Sequence, residues 1–310
     1  MSEIVLNTKT QKVRPKPSWI KVRPPSSPGY NYLKKETEKL GLATVCQEAR
    51  CPNIGECWSD KTLTIMIMGD TCTRFCKFCN VKTGKGSGWL DSEEPFKTAK
   101  LLEPLKLHYV VVTSVDRDDI EDGGSEHFAE TIRQIKRLNP DTTLEVLTGD
   151  FSGVAAHMDK VIAARPDVIS HNIETVERLT PSVRDRRATY RQSLSQLERV
   201  KAMDPAIYTK SSLMLGFGET IQELKQSMQD LRGIGVDFVT LGQYLRPSSK
   251  HHEVKKFYHP DEFEELKQLG YNLGFKMVAS GPLVRSSYKA GEFFIKEFIQ
   301  KNNQRRQRTA

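Results

Sequence analysis

The sequence predicts an α/β fold, a parallel sheet with helices packed outside it. Three observations predict it. Apolar, β-branched runs recur at 63–69, 108–114, 142–149, 166–172, 208–216 and 236–243, the composition of buried strands. Helix-like segments lie between them, and strand–helix alternation of this kind builds parallel sheets. Polar residues collect directly after the runs, in TSVDRDD, SHNIET, LGFGET and GQYLRPS, at the strand ends where α/β folds carry their chemistry. Right-handed crossovers would roll the sheet into a barrel or partial barrel, with a doubly wound sheet as the rival.

The elements follow in order. The first 30 residues hold five prolines and several charges and are predicted to form an extended arm without a helix or core strand. YNYLKKETEKLGLATV predicts a short helix with Tyr32, Leu33, Leu40 and Leu42 as its apolar contacts. After the second run, Phe128, Ile132, Ile135 and Leu138 recur at helical spacing. After the fifth, Ile221, Leu224, Met228, Leu231 and Ile234 do the same. Both stripes are predicted to be core.

The chain has 310 residues, which suggests one large domain or one domain with extensions. Lys plus Arg is 47 against 39 Asp plus Glu, a net charge of +8. Much of the excess lies in KNNQRRQRTA and QKVRPKPSWIKVRPPSSPGY. Solvated termini explain it; an acidic protein partner or nucleic acid is the sharper alternative. There is no basic patch interleaved with aromatics, so nucleic acid is not expected. No apolar run approaches membrane-spanning length. The N-terminal MSEIVLNTKT has no hydrophobic signal core and contains an acid, so a cytoplasmic protein is expected.

Six cysteines, Cys46, Cys51, Cys57, Cys72, Cys76 and Cys79, lie within 34 residues. Thiols crowded into one segment of a cytoplasmic chain read as metal ligands, not as a disulfide framework. CTRFCKFC has the spacing C-x3-C-x2-C. Structural zinc asks for four closed ligands, and the next histidine is His108, at a strand start. A 4Fe–4S cluster on three cysteines leaves one iron open to a substrate or cofactor. CQEARCPNIGEC, C-x4-C-x5-C, is not a standard zinc motif and is again one ligand short.

CTRFCKFC resembles the loop of the radical S-adenosylmethionine (SAM) enzymes, with Phe78 at the aromatic position before the third cysteine. That resemblance implies a partial (β/α)6 barrel, an iron that chelates the amino and carboxylate groups of SAM, and a 5′-deoxyadenosyl radical. Both triplets, their order, the 15-residue step from Cys57 to Cys72, and TSVDRDDIEDGG, SHNIETVERL, GQYLRPS and GPLVRSSY resemble the lipoyl synthase family. The likeness runs from about residue 40 to 290. It implies 1–60 as an N-terminal arm and auxiliary-cluster-binding extension, 61–275 as the barrel, and 276–310 as a C-terminal extension with the RSSY motif and a basic tail. It implies two 4Fe–4S clusters: one on Cys72, Cys76 and Cys79, and an auxiliary one on Cys46, Cys51 and Cys57 with Ser287 as a more weakly held fourth ligand.

The implied reaction places one sulfur at each of C6 and C8 of an octanoyl chain on a carrier lysine. The auxiliary cluster is the implied donor, and two SAM molecules are consumed. An unactivated alkyl C–H is not deprotonated at useful pH, so a carbon radical must abstract its hydrogen, and a cofactor supplies that chemistry. The implied partners are octanoylated lipoyl carrier domains (2-oxoacid dehydrogenase E2 subunits, the glycine cleavage H protein) and an electron donor such as flavodoxin or ferredoxin. No membrane partner is expected.

The catalytic set is thus Cys72, Cys76, Cys79 and Ser287. For SAM the candidates are Gly123 and Gly124, whose backbone opens a helix, and Asn172 and Glu174, just past a strand; Asp116 and Arg117 lie past another, and each of these four could hold SAM or the substrate lysine amide, with a solvated charge as the alternative. The bland readings are a tight turn for the glycines, a helix N-cap for Ser286 and Ser287, and an ion pair for Arg285. His251 and His252 are predicted to lie on a surface loop. Two other functions fit parts of the pattern: another sulfur-inserting radical SAM enzyme of methylthiotransferase type, and a zinc-stabilised nucleic-acid-binding module.

Overall fold

The strands are β1 Ala43–Thr44, β2 Thr64–Ile67, β3 Thr71–Cys72, β4 Lys82–Thr83, β5 Tyr109–Ser114, β6 Thr143–Leu147, β7 Val168–Ser170, β8 Tyr208–Leu215, β9 Phe238–Gln243 and β10 Met277–Gly281. The helices are α1 Pro28–Lys39, α2 Val45–Glu48, α3 Ile54–Ser59, α4 Glu94–Leu102, α5 Ser125–Leu138, α6 Ala155–Ala163, α7 Thr180–Val183, α8 Tyr190–Met203, α9 Ile221–Gly233 and α10 Pro260–Asn272. The computed structural model describes residues 15–21, 27–39, 43–48, 51–59, 64–105, 107 and 109–287. Leu40, Leu42, His108, Tyr288 and the basic tail lie outside them.

Each predicted run contains a strand. The sheet order is β1-β2-β5-β6-β7-β8-β9-β10, parallel throughout except for the antiparallel β1–β2 pair. β10 lies in the segment expected as a C-terminal extension, yet it pairs residue for residue with β9 from Met277–Phe238 to Gly281–Gly242.

The sheet curls into a partial barrel. Tyr109 and Val111 of β5 pack in one cluster with Val168 of β7, Phe238 of β9 and Met277 of β10. Side chains of strands so far apart in the order meet only if the sheet closes on itself. Beside that apolar cluster, Lys210 Nζ lies 2.9 and 2.8 Å from the two carboxylate oxygens of Glu145, both side chains 1 % exposed. Ser170 Oγ donates to Glu145 at 2.5 Å, and Tyr109 donates its hydroxyl to the same group. The floor of the barrel is therefore a neutral, hydrogen-bonded polar plug.

Helices cover the outside. Phe128, Ile132 and Ile135 of α5 are buried against Val110, Val112 and Leu144, as the 3.6-residue spacing requires. Leu224, Met228 and Leu231 of α9 are buried too, but Ile221 is 50 % exposed. It is the first helical residue, directly after the N-cap Thr220 and within the Thr220–Glu223 capping box, on a turn that faces water. In α1, Leu33 is buried and Tyr32 is exposed. This helix packs on α3 through Tyr30 and Trp58, ring centroids 5.1 Å apart. No helix among the described residues is long and apolar enough to cross a membrane.

Candidate active site

A cavity of about 470 Å³ opens at the C-terminal ends of the strands. Cys72, Cys76 and Cys79 line it, and so do Cys51, Asp116, Asp150, Asn172, Glu174 and the segment Val284–Ser287. Cys46 and Cys57 lie beneath, buried in the core that packs α1, α3 and β2. No disulfide joins any of the six. Among the described residues no three His, Cys, Asp or Glu side chains converge closely enough to hold a single metal ion. A 4Fe–4S cluster spreads its irons over four corners and takes a wider ligand set.

The CTRFCKFC loop leaves the barrel at β3 and returns at β4, tied by Gly84 N–H to Cys72 O at 3.0 Å. Other strand ends pin it. Thr73 N–H donates to Asp116 O at 3.0 Å, and Thr73 Oγ1 donates to Asp118 at 2.6 Å. Lys77 N–H donates to Val183 O at 2.8 Å, and His252 N–H donates to Lys77 O at 2.8 Å. His251 Nε2 lies 3.0 Å from Cys79 O. His251 and His252, expected on a surface loop, are half-buried props of the cysteine loop. Arg74 is the central clamp: it donates to Asp118 through Nε and Nη2 and to Asp150 through Nη1 at 2.7 Å.

Burial pushes the thiol of Cys72 up to about 11, with Asp116 adding to it. Burial pushes Cys76 and Cys79 up to about 12 each. Thiolates in so dry a place need a cation beside them, which fits a site built around an iron cluster. Backbone donors already face the sulfurs, Arg74 N–H to Cys72 Sγ at 3.4 Å and Asp185 N–H to Cys76 Sγ at 3.3 Å.

Across the mouth lie Asn172 and Glu174. Glu174 holds φ at +66°, a left-handed conformation unusual for a residue with a side chain. Its N–H donates to Ser212 O at 3.0 Å, and its carbonyl accepts from Met214 N–H at 2.9 Å. Asn172 Nδ2 donates to its carboxylate at 3.1 Å, and burial raises that carboxyl group. Asn172 Oδ1 and Arg184 Nε are buried with no hydrogen-bond partner in the protein, and both residues line the cavity. One unfilled acceptor and one unfilled cationic donor suit an amino acid's ammonium and carboxylate. His171, just behind, is pushed down to about 4 by burial and by Arg184, so its ring is neutral at neutral pH.

Gly123 and Gly124 stand apart from this cavity. Both have positive φ, and a Cβ on Gly124 would lie 2.1 Å from Met68 Sδ. Asp116 lines the cavity with its carboxyl raised to about 6 by burial. Arg117 instead ties Asp119 to the carbonyls of Met68 and Trp89.

The second triplet sits on α2, a turn and α3. Cys51 N–H donates to Cys46 O at 3.0 Å and Cys57 N–H to Asn53 O at 2.9 Å. Residues 283–287 dock beside it: Asn53 Nδ2 donates to Leu283 O at 2.7 Å, and Thr64 Oγ1 donates to Ser287 Oγ at 2.9 Å. Arg285 is half-buried in the cavity wall, where desolvation lowers its pKa and Cys51 partly offsets the shift. The approach depends on Gly242, where a Cβ would lie 2.0 Å from Val284 O. Gly242→Ala is therefore expected to weaken this docking by about 1–3 kcal/mol. Trypsin should then cut after Arg285 much faster than in the unaltered chain.

Sequence reasoning did not assign Arg74, Asp150, Arg184, Asn53 or Thr64. Asp150 carried a signal, since TGD follows the third predicted strand as the other polar clusters follow theirs.

A family model described as the Radical SAM superfamily matches residues 66–231. Among solved structures, methylornithine synthase aligns with a TM-score of 0.52 at 15 % identity, covering 82 % of each chain. A maturase of the FeFe-hydrogenase gives 0.52 at 13 %, covering 80 % of this chain and 65 % of its own. These likenesses give the fold. Together with the superfamily match and the three-cysteine loop, they define a radical SAM enzyme, a class that uses a 4Fe–4S cluster and SAM.

A second model, the N-terminal domain of lipoyl synthase of the radical SAM family, matches residues 2–51. The lipoyl synthase of Myxococcus xanthus is 53 % identical over 286 residues, 92 % of this chain and 96 % of that protein. The mitochondrial lipoyl synthase of Saccharomyces cerevisiae is 52 % identical over 299 residues, 95 % of this chain and 72 % of that one. The chain belongs to the lipoyl synthase family, enzymes that insert sulfur. Neither the methylthiotransferase-like reading nor the zinc module is favoured by these matches.

Proposed function

We propose that this chain converts a carrier-bound octanoyl-lysine to the lipoyl group, inserting one sulfur at each of C6 and C8, and that it uses two 4Fe–4S clusters in one cavity. The observation that carries this reading is the shared wall: Cys72, Cys76 and Cys79 face the same space as Cys51 and Ser287. Cys72, Cys76 and Cys79 would hold the first cluster; Cys46, Cys51, Cys57 and Ser287 the second. When bound, the first supplies the electron that cleaves SAM to a 5′-deoxyadenosyl radical, and the second supplies the sulfur.

The protein's own part is placement. Asn172 Oδ1 and the Glu174 carboxylate would take the ammonium of SAM, and Arg184 Nε its carboxylate. Met66, Leu147, Leu213 and Met214 line the same cavity and offer an alkyl chain a dry wall that excludes water. A tight turn accounts for Gly123 and Gly124, and we assign SAM to Asn172 and Glu174. The carriers we propose are the E2 subunits and the H protein, with flavodoxin or ferredoxin as electron donor. A cytoplasmic location stays part of the proposal, since the yeast relative is mitochondrial by name.

The test is anaerobic loading with iron and sulfide, then incubation with SAM, reductant and an octanoylated carrier. 5′-Deoxyadenosine should form, and the carrier should gain the mass of two sulfurs as the dithiol, or of two sulfurs less two hydrogens once air oxidation has closed the disulfide. Deoxyadenosine without that gain contradicts the proposal. Cys76→Ala should abolish SAM cleavage. Cys51→Ala should abolish sulfur insertion while leaving measurable SAM cleavage. Lipoyl product at the normal rate from Cys51→Ala would overturn the donor assignment.

A further inference from the structure

The Leu283–Ser287 segment reaches the cysteine region from the far end of the chain, and Ser287 is on a turn with little structure of its own. Its oxygen is nevertheless fixed. Thr64, 223 residues away, donates Oγ1–H to Ser287 Oγ at 2.9 Å. Thr64 is 3 % exposed and opens β2, where it is paired with Val111 of β5. A β-branched side chain in a strand has a stiff χ1, so this hydroxyl is a rigid point and Ser287 the adaptable partner. With Thr64 as donor, Ser287 Oγ accepts one bond and keeps its remaining lone pair and its own proton for the cavity.

We propose that Thr64 is a positioning residue that holds Ser287 Oγ at the second cluster's site, aimed at the open corner of the cysteine triplet. Thr64 lies on a paired strand and Ser287 on a turn, so the bond holds the turn's oxygen in place relative to the sheet. This inference rests on the reading of Ser287 as the oxygen ligand. It adds a residue to which neither the motif nor the resemblance assigns a role, and it explains why a weak hydroxyl donor can hold a corner that three thiolates leave open. Asn53 and Gly242 bring the segment in; Thr64 fixes the last atom.

The experiment uses the full chain carrying Cys72→Ala, Cys76→Ala and Cys79→Ala, so that only the second cluster is loaded. The readout is the rate at which a ferrous-iron chelator removes the first iron. Thr64→Val, which swaps the hydroxyl for a methyl, should lose it about tenfold faster, and Thr64→Ser should restore the parental rate. In the unloaded chain, tryptic cleavage after Arg285 should follow the same order, which serves where Thr64→Val loads poorly. A parental rate for Thr64→Val beside a fast Ser287→Ala overturns the Thr64 proposal alone. Equal acceleration by Thr64→Val and Thr64→Ser also overturns it, because packing and not the hydroxyl would then matter. If Ser287→Ala itself keeps the parental rate, the oxygen-ligand reading falls, and this inference with it.

Discussion

Arg74→Gln is expected to destabilise the protein by about 3–5 kcal/mol and to empty the first cysteine triplet of iron. The guanidinium is 3 % exposed and holds Asp150, fully buried, and Asp118, 17 % exposed. Burial by itself pushes Asp118 and Asp150 up; the hydrogen bonds from Arg74 more than reverse this and hold both below the usual carboxylate range. Removing the arginine strips the fully buried Asp150 of its ion-pair partner and leaves Asp118 with Arg187 alone, 3.1 Å away, and it frees the loop between Cys72 and Cys76. The sign of the pH effect follows. In the unaltered protein these depressed groups stabilise the fold above the unfolded carboxylate range, and that stability is lost as acid protonates them. In Arg74→Gln burial would raise Asp150 above the unfolded value, so its protonation would relieve the strain and the melting temperature should rise as pH falls from neutral. Arg74→Gln with Asp150→Asn should recover stability without recovering the loop, read as iron content and SAM cleavage. Arg74→Lys should not substitute, because a single ammonium nitrogen cannot reproduce the planar, spaced N–H groups with which the guanidinium meets Asp118 on one side and Asp150 on the other.

Lys210→Met is expected to cost a similar amount, about 3–5 kcal/mol, for a different reason. Lys210 and Glu145 are each 1 % exposed, so the single change leaves a carboxylate buried in the barrel floor. Tyr109 and Ser170 still donate to Glu145, but they bring no charge. Lys210→Met with Glu145→Leu should recover most of the loss, since a well-packed apolar pair often matches a buried ion pair. Denaturant midpoints of the three variants check this. A single variant as stable as the parent would show that the plug is not a coupled pair.

The barrel strands were legible because each is a run of β-branched residues between turn signals, and the gathering of Cys51, Cys72, Cys76 and Cys79 on one cavity because their close spacing already marked them as a group. β10 was not. Met277–Gly281 reads MVASG, too short and too rich in small residues to announce a strand, and only its pairing with β9 makes it one. Arg74 stood inside the quoted motif, yet its role depends on Asp118 and Asp150, 44 and 76 residues away. Thr64 and Asn53 carry no local signal, because what they do is set by a segment more than 220 residues downstream. His251 and His252 looked like a polar loop, and the sequence holds no sign that this loop leans on Lys77 and Cys79.

The central claim is that the cluster on Cys46, Cys51, Cys57 and Ser287 is the source of both sulfurs. The most direct measurement is a single turnover with protein loaded anaerobically with isotopically heavy sulfide, then freed of unbound sulfide and given SAM, reductant and octanoylated carrier in natural sulfur. Mass spectrometry of the carrier should find both inserted sulfurs heavy. Light sulfur in the product, or deoxyadenosine with no sulfur inserted, would contradict the account.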